Sequence, residues 1–324
     1  MYYNRNLITA EQHPTDAGEA SGVFDLNTQA FSQSQKDWPI PYDNFDCALR
    51  IYIPYAIAVT IDRQTNGPVT YTVDWDDGGG PSTETSASVS HVYSKSGIYI
   101  VKFKRISGAT LVPSGTNAFR TALFASNNYV MSTSVLSFNE AYFLKVLAIP
   151  FGTYANVVNF SNAFRLCISL KKFPLLNVSS GTSFLRTWDG CFILESFPAL
   201  SFNNATSLQG AWSRCEKLRV FPLITNTSNV TNFESAWFSC ESLSSFPLID
   251  TSGGTNFTTC WAGCTNIISP FPSIDTSKGT DFERSWQQCE LLTSFPALNF
   301  TSGTQFKNTW QHCYLLADFG ANMF

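Results

Sequence analysis

A segment of 24 or 25 residues recurs seven times between Phe160 and Phe319, and this repeat constrains the fold more than any other feature. Most copies carry Phe, Trp and Cys at positions i, i+4 and i+7. The repeated cysteines are Cys167, Cys191, Cys215, Cys240, Cys264, Cys289 and Cys313. Six of the eight tryptophans occupy one repeat position: Trp188, Trp212, Trp237, Trp261, Trp286 and Trp310. Repetition at a fixed period indicates stacked units, so we interpret these residues as a structural core rather than a site.

The spacing within one repeat predicts a short helix followed by an extended leg. Phe233, Trp237 and Cys240 in the fourth copy would share one helix face at a period of 3.6. The run that begins with Phe246 and Pro247 predicts the extended leg, because proline donates no backbone hydrogen bond. A unit of this size cannot bury its own apolar stripe. The repeats therefore predict an α/β solenoid with a continuous core.

The repeat frame resembles the leucine-rich repeats of BspA-like surface proteins of bacteria and mycoplasmas. The resemblance rests on the cysteine that follows the predicted helix and on the turns DTSGGT at 250–255 and DTSKGT at 275–280. It covers residues 136–324 and implies a leucine-rich-repeat-type solenoid of about seven repeats. It also implies a recognition or scaffold role without catalysis. The chain differs in placing Trp where those repeats more often carry Met or Phe.

The nine cysteines allow three interpretations. We favour buried free thiols, since a thiol at one position of every repeat can line a core. Disulfides between successive repeats are geometrically conceivable. Cys260 and Cys264 form a C-x3-C pair, but no second pair at zinc-site spacing accompanies them. We therefore predict no metal in the repeats and no cofactor.

A different pattern, at residues 69–104, predicts short strands around the turn DDGGG at 76–80. It resembles the PKD-type immunoglobulin-like domain. The matching residues are Val73, Asp74, Trp75, Asp76, Asp77, Gly78, His91, Tyr93, Gly97, Tyr99 and Val101. The resemblance implies a β-sandwich over 45–107 and a spacer or adhesive role. Asp74, Asp76 and Asp77 are candidate calcium ligands, with the shaping of the turn as the favoured alternative.

Residues 1–44 predict an N-terminal anchoring or adaptor segment. The part SGVFDLNTQAFSQSQKDWP, at 21–39, resembles a segment that recurs in virion and tail proteins of bacteriophages. The matching residues are Gly22, Val23, Leu26, Gln29, Trp38 and Pro39. Residues 108–135 are interpreted as a linker or as the N-terminal cap of the solenoid. The start of the chain lacks the apolar region of a secretory signal, which we expect of a virion protein assembled in the host cytoplasm.

Charge and composition exclude two classes of partner. The net charge of -4 provides no basic field for nucleic acid. No run of 18 apolar residues occurs, so we predict no membrane insertion.

The sequence also indicates that the protein is not an enzyme. His13, His91 and His312 are the only histidines, and none lies in a local signature for a nucleophile triad. Four acidic residues recur near the repeat cysteines, and we interpret them as solvated positions: Glu195, Glu216, Glu241 and Glu290.

These observations predict a non-enzymatic structural component of a bacteriophage virion, such as a tail-fibre, tail-tip, capsid-fibre or decoration protein. We expect a homo-oligomer that contacts other virion proteins through its N-terminal segment and a host-surface protein or glycan through the solenoid. Lys171, Lys172 and Arg219 are candidate binding residues, because the repeat frame does not constrain them. Two alternatives stay open: a cellular BspA-like surface adhesin and a polysaccharide-degrading tailspike.

Overall fold

The structure is a computed structural model that describes residues 47–53, 57–64, 68–108, 112–114, 122–127, 146–148, 157–268 and 270–319. The predicted adaptor at 1–44 lies outside the described residues. The predicted linker at 108–135 is described only at 108, 112–114 and 122–127. The described chain contains a group of small sheets up to residue 148 and the repeats from residue 157 onward.

Nine strands form two sheets in the first part of the described chain. They are β1 (Cys47–Ile53), β2 (Ile57–Gln64), β3 (Val69–Asp74), β4 (Ser82–Glu84), β5 (Ser88–Tyr93), β6 (Gly97–Gly108), β7 (Val112–Ser114), β8 (Ala122–Asn127) and β9 (Val146–Ala148). The six-stranded sheet has the order β4-β3-β6-β1-β8-β9, and the three-stranded sheet has the order β5-β2-β7. Neighbouring strands are antiparallel, except that β8 and β9 are parallel.

The two sheets meet through aromatic side chains. In β3, Val69, Tyr71 and Val73 are buried and the residues between them are half-buried, which is the period-2 pattern of a strand with one face in a core. Tyr93 of β5 lies 4.1 Å from Tyr99 of β6 between ring centroids. Burial and nearby carboxylates raise the pKa of Tyr93. Its hydroxyl therefore stays protonated and donates a hydrogen bond of 2.9 Å to a carbonyl oxygen next to β3, that of Trp75.

The predicted α/β solenoid of leucine-rich-repeat type is wrong, because the described residues contain no helix. The stretch from Phe to Cys, which has helical spacing in the sequence, is a series of turns. Two residues of each such stretch have φ between 51° and 76°, which is the left-handed region and interrupts a right-handed helix. The first column of these residues is Asn162, Arg186, Gly210, Ser235, Thr259, Arg284 and Asn308. The second is Leu166, Gly190, Arg214, Ser239, Gly263, Gln288 and His312.

The backbone hydrogen bonds of these turns alternate between neighbouring repeats and the same repeat. The amides of Arg186 and Trp188 donate to the carbonyls of Gln209 and Ala211 in the next repeat, both at 2.8 Å. The amides between and after them, those of Thr187, Asp189 and Cys191, donate to carbonyls three residues earlier. An α-helix would satisfy these donors four residues back in the same segment. The side chains at i, i+4 and i+7 therefore share a face through alternating turns, not through a helix.

Parallel pairings hold the repeats one above another. Single-residue parallel bridges join successive repeats: Asn159 to Ser183, Ser183 to Ser207, Ser207 to Asn232, Asn232 to Asn256, Asn256 to Asp281 and Asp281 to Gln305. The extended legs pair mostly as isolated bridges too, and as the short parallel strands β10 (Ser294–Phe295) and β11 (Asp318–Phe319) in the last two repeats. Residues 157–268 and 270–319 are called the repeat stack below.

Aromatic columns fill the interior of the repeat stack. Successive tryptophans from Trp188 to Trp310 stack with ring centroids 5.1 to 6.0 Å apart and planes within 10° of each other. The phenylalanines of the Phe-Pro legs form a second column that meets the indoles edge to face, as Phe197 does at 4.8 Å from Trp188. Each such pair adds about 0.5–1.5 kcal/mol beyond the burial of its area. Stacked aromatic rings therefore form the core of the repeat stack.

Candidate functional site

The repeated tryptophans lie in the core. Trp188, Trp212, Trp237, Trp261 and Trp286 are fully buried. Trp310 is partly exposed, because it lies in the seventh repeat and, among the described repeats, only the preceding one covers it. The indole Nε1 atoms of all six are buried without a hydrogen-bond partner. These side chains therefore contribute packing and present no polar group to a ligand.

The repeated cysteines are free thiols that donate hydrogen bonds inside the stack. Each Sγ from Cys191 onward donates to the carbonyl oxygen of the aromatic residue at i+4 of the preceding repeat, as Cys240 does to Trp212 at 3.2 Å. Cys167 and Cys260 are also buried and form no disulfide. Burial raises the pKa of Cys240 well above its usual value, and raises that of the partly exposed Cys313 to about 11. The thiols of Cys240 and Cys313 therefore stay protonated at neutral pH and serve as donors.

The candidate binding residues of the repeat stack lie on its surface. Lys171, Lys172 and Arg219 are exposed. The carbonyl of Lys171 accepts a hydrogen bond of 2.8 Å from the amide of Glu195, which occupies the same position one repeat later. Arg219 occupies that position in the following repeat. The structure thus places Lys171, Glu195 and Arg219 in one column, with an acidic residue between the two basic ones.

A cluster of charged side chains around the buried Asp189 joins three successive repeats, and the sequence interpretation did not identify it. Both Asp189 oxygens accept hydrogen bonds from Arg214, at 2.9 to 3.0 Å, and Oδ2 also accepts one from Arg165 Nε at 3.2 Å. The Asp189 side chain is 5% exposed. Alignment of the repeats contains the signal, since Arg165 and Asp189 occupy the same position in adjacent copies. The cluster fixes one repeat against the next.

The three aspartates of the turn after β3 accept backbone hydrogen bonds. Asp74 Oδ1 accepts from the Asp76 amide at 3.0 Å, and Asp77 Oδ1 accepts from the Gly79 amide at 3.0 Å. Asp76 Oδ2 accepts from the amide of Ile100 in β6 at 2.9 Å. Within the described ranges, no group of three or more His, Cys, Asp or Glu side chains is arranged to hold a metal ion. The carboxylates thus shape the turn and tie it to β6.

A polar groove of about 410 Å³ opens beside this turn and is called the serine groove below. It lies between β4, β5 and the turn at 77–80. Its lining residues are Trp75, Asp77, Gly79, Gly80, Ser82, Glu84, Ser86, Ser88, Val89, Ser90 and His91. The sequence interpretation considered Asp77 and His91 but not the serines or Glu84. The alternation of serine with other residues over 82–90 is the signal that could have indicated them, because alternate residues of a strand share one face.

His91 is held rigidly at the inner side of the serine groove. Its ring stacks on that of Trp75, with centroids 5.0 Å apart and an angle of 19° between the planes. Its Nε2 lies 3.0 Å from Asp77 Oδ2 but has no hydrogen-bond partner. Nε2 itself is buried. The groove therefore contains a fixed imidazole beside a carboxylate, in a wall of hydroxyl groups.

Among the described residues, His312 and the four repeat glutamates considered above are not part of the lining of the serine groove. His312 lies at the exposed end of the repeat stack, where its Nδ1 is 3.0 Å from the hydroxyl of Tyr314. His13 lies outside the described residues. Glu195 and Glu241 are exposed, and Glu216 and Glu290 are half-buried. Glu216, Glu241 and Glu290 follow the repeat cysteine directly, so they share one column of the surface.

In the part of the chain that the structure describes, no helix is long and apolar enough to cross a membrane. Comparisons with models of protein families, with curated proteins and with solved structures gave no match.

Proposed function

We propose that this chain is a non-enzymatic structural component of a bacteriophage virion, as a tail-fibre, tail-tip, capsid-fibre or decoration protein. The observation that carries the proposal is the internal use of the reactive side chains. The indoles of the repeats stack in the core, and the thiols donate hydrogen bonds to backbone carbonyls. The outer surface instead carries one side chain per repeat in regular columns. Such a surface suits repeated contacts with a partner rather than a single reaction centre.

A column of threonines is one of these regular columns on the outer surface. Each exposed threonine of the column donates its hydroxyl hydrogen to the carbonyl of the same position one repeat earlier, as Thr255 does to Thr231 at 3.1 Å. The other members are Thr182, Thr206, Thr280 and Thr304. These bonds hold the column in a fixed geometry. A rigid surface binds with a smaller loss of conformational entropy.

Exposed apolar side chains on the Phe-Pro legs support a role in assembly. Leu175, Leu223 and Leu248 occupy the position after Pro in their repeats and are 53 to 62% exposed. Val220 lies close to Leu223 in sequence and is 61% exposed. Leu223 and Leu248 belong to adjacent repeats, and neighbouring apolar groups on an otherwise polar surface are typical of contacts between proteins. We propose that this side of the repeat stack contacts another virion protein or a second copy of the chain.

The two alternatives have less support. The cellular adhesin rested on helix-containing leucine-rich repeats, and the described repeats have no helix. The tailspike needs two carboxylates on opposite sides of a glycosidic bond. The four acidic residues named above occupy regular surface positions, an arrangement that favours solvation over a tuned pair.

Mass spectrometry and cryo-electron microscopy of purified phage particles test the proposal. We expect the chain in stoichiometric amount in particles that have been banded on a density gradient, with its epitope at one fixed place on the particle. Recovery of the chain only from the envelope or the soluble fraction of the cells, and not from particles, would contradict it. Release of oligosaccharide from host exopolysaccharide by the purified chain would contradict the non-enzymatic role.

A further inference from the structure

The serine groove has the polarity of a site for a neutral, hydroxyl-rich ligand. Hydroxyl groups both donate and accept hydrogen bonds, and ionised carboxylates accept only. Ser82, Ser88 and Ser90 provide the first kind of group, and Asp77 and Glu84 provide the second. A sugar presents several hydroxyls that each donate and accept, which matches this mixture. Glu84 is half-buried, and its side chain has no hydrogen bond or ion pair in the described chain, so the acceptor capacity of its carboxylate is not used by the fold.

The charges of the groove select against anions. Two carboxylates line it, and its lining includes neither lysine nor arginine. His91 is the only lining group that can become cationic, and it faces Asp77 at 3.0 Å. An anionic ligand would therefore meet like charges at short range. A phosphate, a sialic acid or a uronic acid is disfavoured on this ground.

The size and the rigidity of the groove fit a small carbohydrate. A volume of about 410 Å³ falls within the range of small-molecule sites and holds roughly one or two sugar rings. The His91 ring is fixed by its stack on Trp75. Asp77 is fixed through its bond from the Gly79 amide. The site is therefore organised before a ligand binds, which reduces the entropy lost on binding.

We propose that the serine groove binds a neutral saccharide, with Asp77 and Glu84 accepting hydrogen bonds from its hydroxyls and the serine hydroxyls completing the contacts. The inference rests on the proposed function for its setting, because a glycan of the host surface would supply the sugar. It places a recognition site on the small sheets, whereas the binding candidates Lys171, Lys172 and Arg219 lie on the repeat stack.

Saturation-transfer NMR on the full chain tests the inference with four defined probes: the methyl glycosides of glucose, galactose and N-acetylglucosamine, and methyl glucuronide as the anion. We expect saturable transfer to at least one neutral glycoside. The glucuronide should bind at least fivefold more weakly than that glycoside. Glu84→Ala should weaken the binding of the neutral glycoside at least fivefold. The matched control Glu241→Ala, on the exposed surface of the repeat stack, should leave it unchanged.

Ser88→Ala serves as a second groove variant if Glu84→Ala lowers the melting temperature, because Ser88 is exposed on β5. It should also weaken binding while the melt stays unchanged. Three outcomes would overturn the inference. They are no saturable transfer to any neutral glycoside, binding by both groove variants that equals binding by the parent chain, and tighter binding of the glucuronide than of the neutral glycosides.

Failure of the inference and failure of the proposed function give different results. If the chain is found in particles and Glu84→Ala particles adsorb to host cells normally, the virion role stands and the groove is not the attachment site. If the isolated chain binds the glycoside but is missing from particles, the groove assignment stands and the virion role fails.

Discussion

Trp188 and Trp212, at equivalent positions of adjacent repeats, stack at a centroid distance of 5.2 Å with their ring planes 10° apart. The stack continues through every later repeat, so each interior indole is covered on both faces. The amide of Trp188 also donates to the carbonyl of Ala211, beside Trp212. The same residues thus carry both the side-chain stack and the backbone pairing of the repeats. Loss of one interior indole should therefore remove packing contacts from the rings on both of its faces.

Trp237→Ala should lower the free energy of unfolding by about 3–5 kcal/mol, the range for aromatic truncation in a core. Trp237 is fully buried between Trp212 and Trp261. Trp237→Phe should cost less, because the indole Nε1 has no hydrogen bond to lose and the first repeat carries Phe164 at this position. Urea unfolding measures both changes. The half-buried neighbour provides the control variant Phe238→Ala, with an expected loss below that of Trp237→Ala. Lost host adsorption with an unchanged unfolding curve would show instead that Trp237 acts in binding.

Stability should fall as the pH rises above 9 because of the buried thiols. Burial raises the pKa of Cys240 and Cys289 well above the ordinary thiol value of 9.0, so the thiols of the unfolded chain ionise first. The stabilisation is therefore complete below pH 9 and is lost as the pH rises toward the folded pKa. The limiting slope is about 1.4 kcal/mol per pH unit for each thiol. Urea unfolding at a series of pH values from 7 to 10.5 measures it.

Cys240→Ser provides the control for the pH profile, because serine keeps a donor toward the Trp212 carbonyl and does not ionise in this range. Its profile should be shallower above pH 9 than that of the parent chain. Parallel profiles for the two proteins would show that other groups cause the loss.

Asp189→Ala should destabilise the first repeats by about 1–3 kcal/mol. The carboxylate is buried, and its loss leaves Arg165 and Arg214 without their common partner. The estimate lies below that for a fully buried pair, since the arginine side chains are 28% and 38% exposed and water screens them. A double-mutant cycle with Arg214→Ala isolates the pair. Additive losses would show that the contact contributes nothing. Glu195→Ala, at an exposed position, is the matched carboxylate control.

Gln288→Gly should stabilise the chain slightly or leave its stability unchanged. Gln288 has φ of 60°, where a residue with a side chain is disfavoured by about 1–2 kcal/mol relative to glycine. Gly190 and Gly263 already occupy this column in other repeats. The gain is opposed by about 0.5–1 kcal/mol from the greater backbone entropy of glycine in the unfolded chain.

Gln209→Gly is the matched control, because Gln209 does not have a left-handed φ. It should destabilise the chain, so the two variants should move the midpoint of urea unfolding in different directions or by clearly different amounts. Equal losses for the two variants would mean that the left-handed column does not store strain.

The sequence interpretation identified the repeat period and the residues that point inward, because an apolar side chain at one position of seven copies has to be buried somewhere. The assignment of the turn residues also followed from local chemistry: aspartate side chains bond to nearby amides, as Asp77 does to Gly79. The serine groove was not foreseen. Its residues come from β4, β5 and a turn, and only the pairing of these elements brings Glu84 and His91 to one wall.

The sequence by itself determined the period of the repeats, the inward residues such as Trp237 and Cys240, and the chemistry of their turns. It did not determine the backbone path between them. A spacing of i, i+4 and i+7 is satisfied by a helix and equally by turns that alternate right-handed and left-handed residues. The tertiary structure decided between them, because in a stack every second amide can donate to the next repeat, as Arg186 does to Gln209. A single repeat has no such acceptor, so the bonds that replace the helix exist only between repeats.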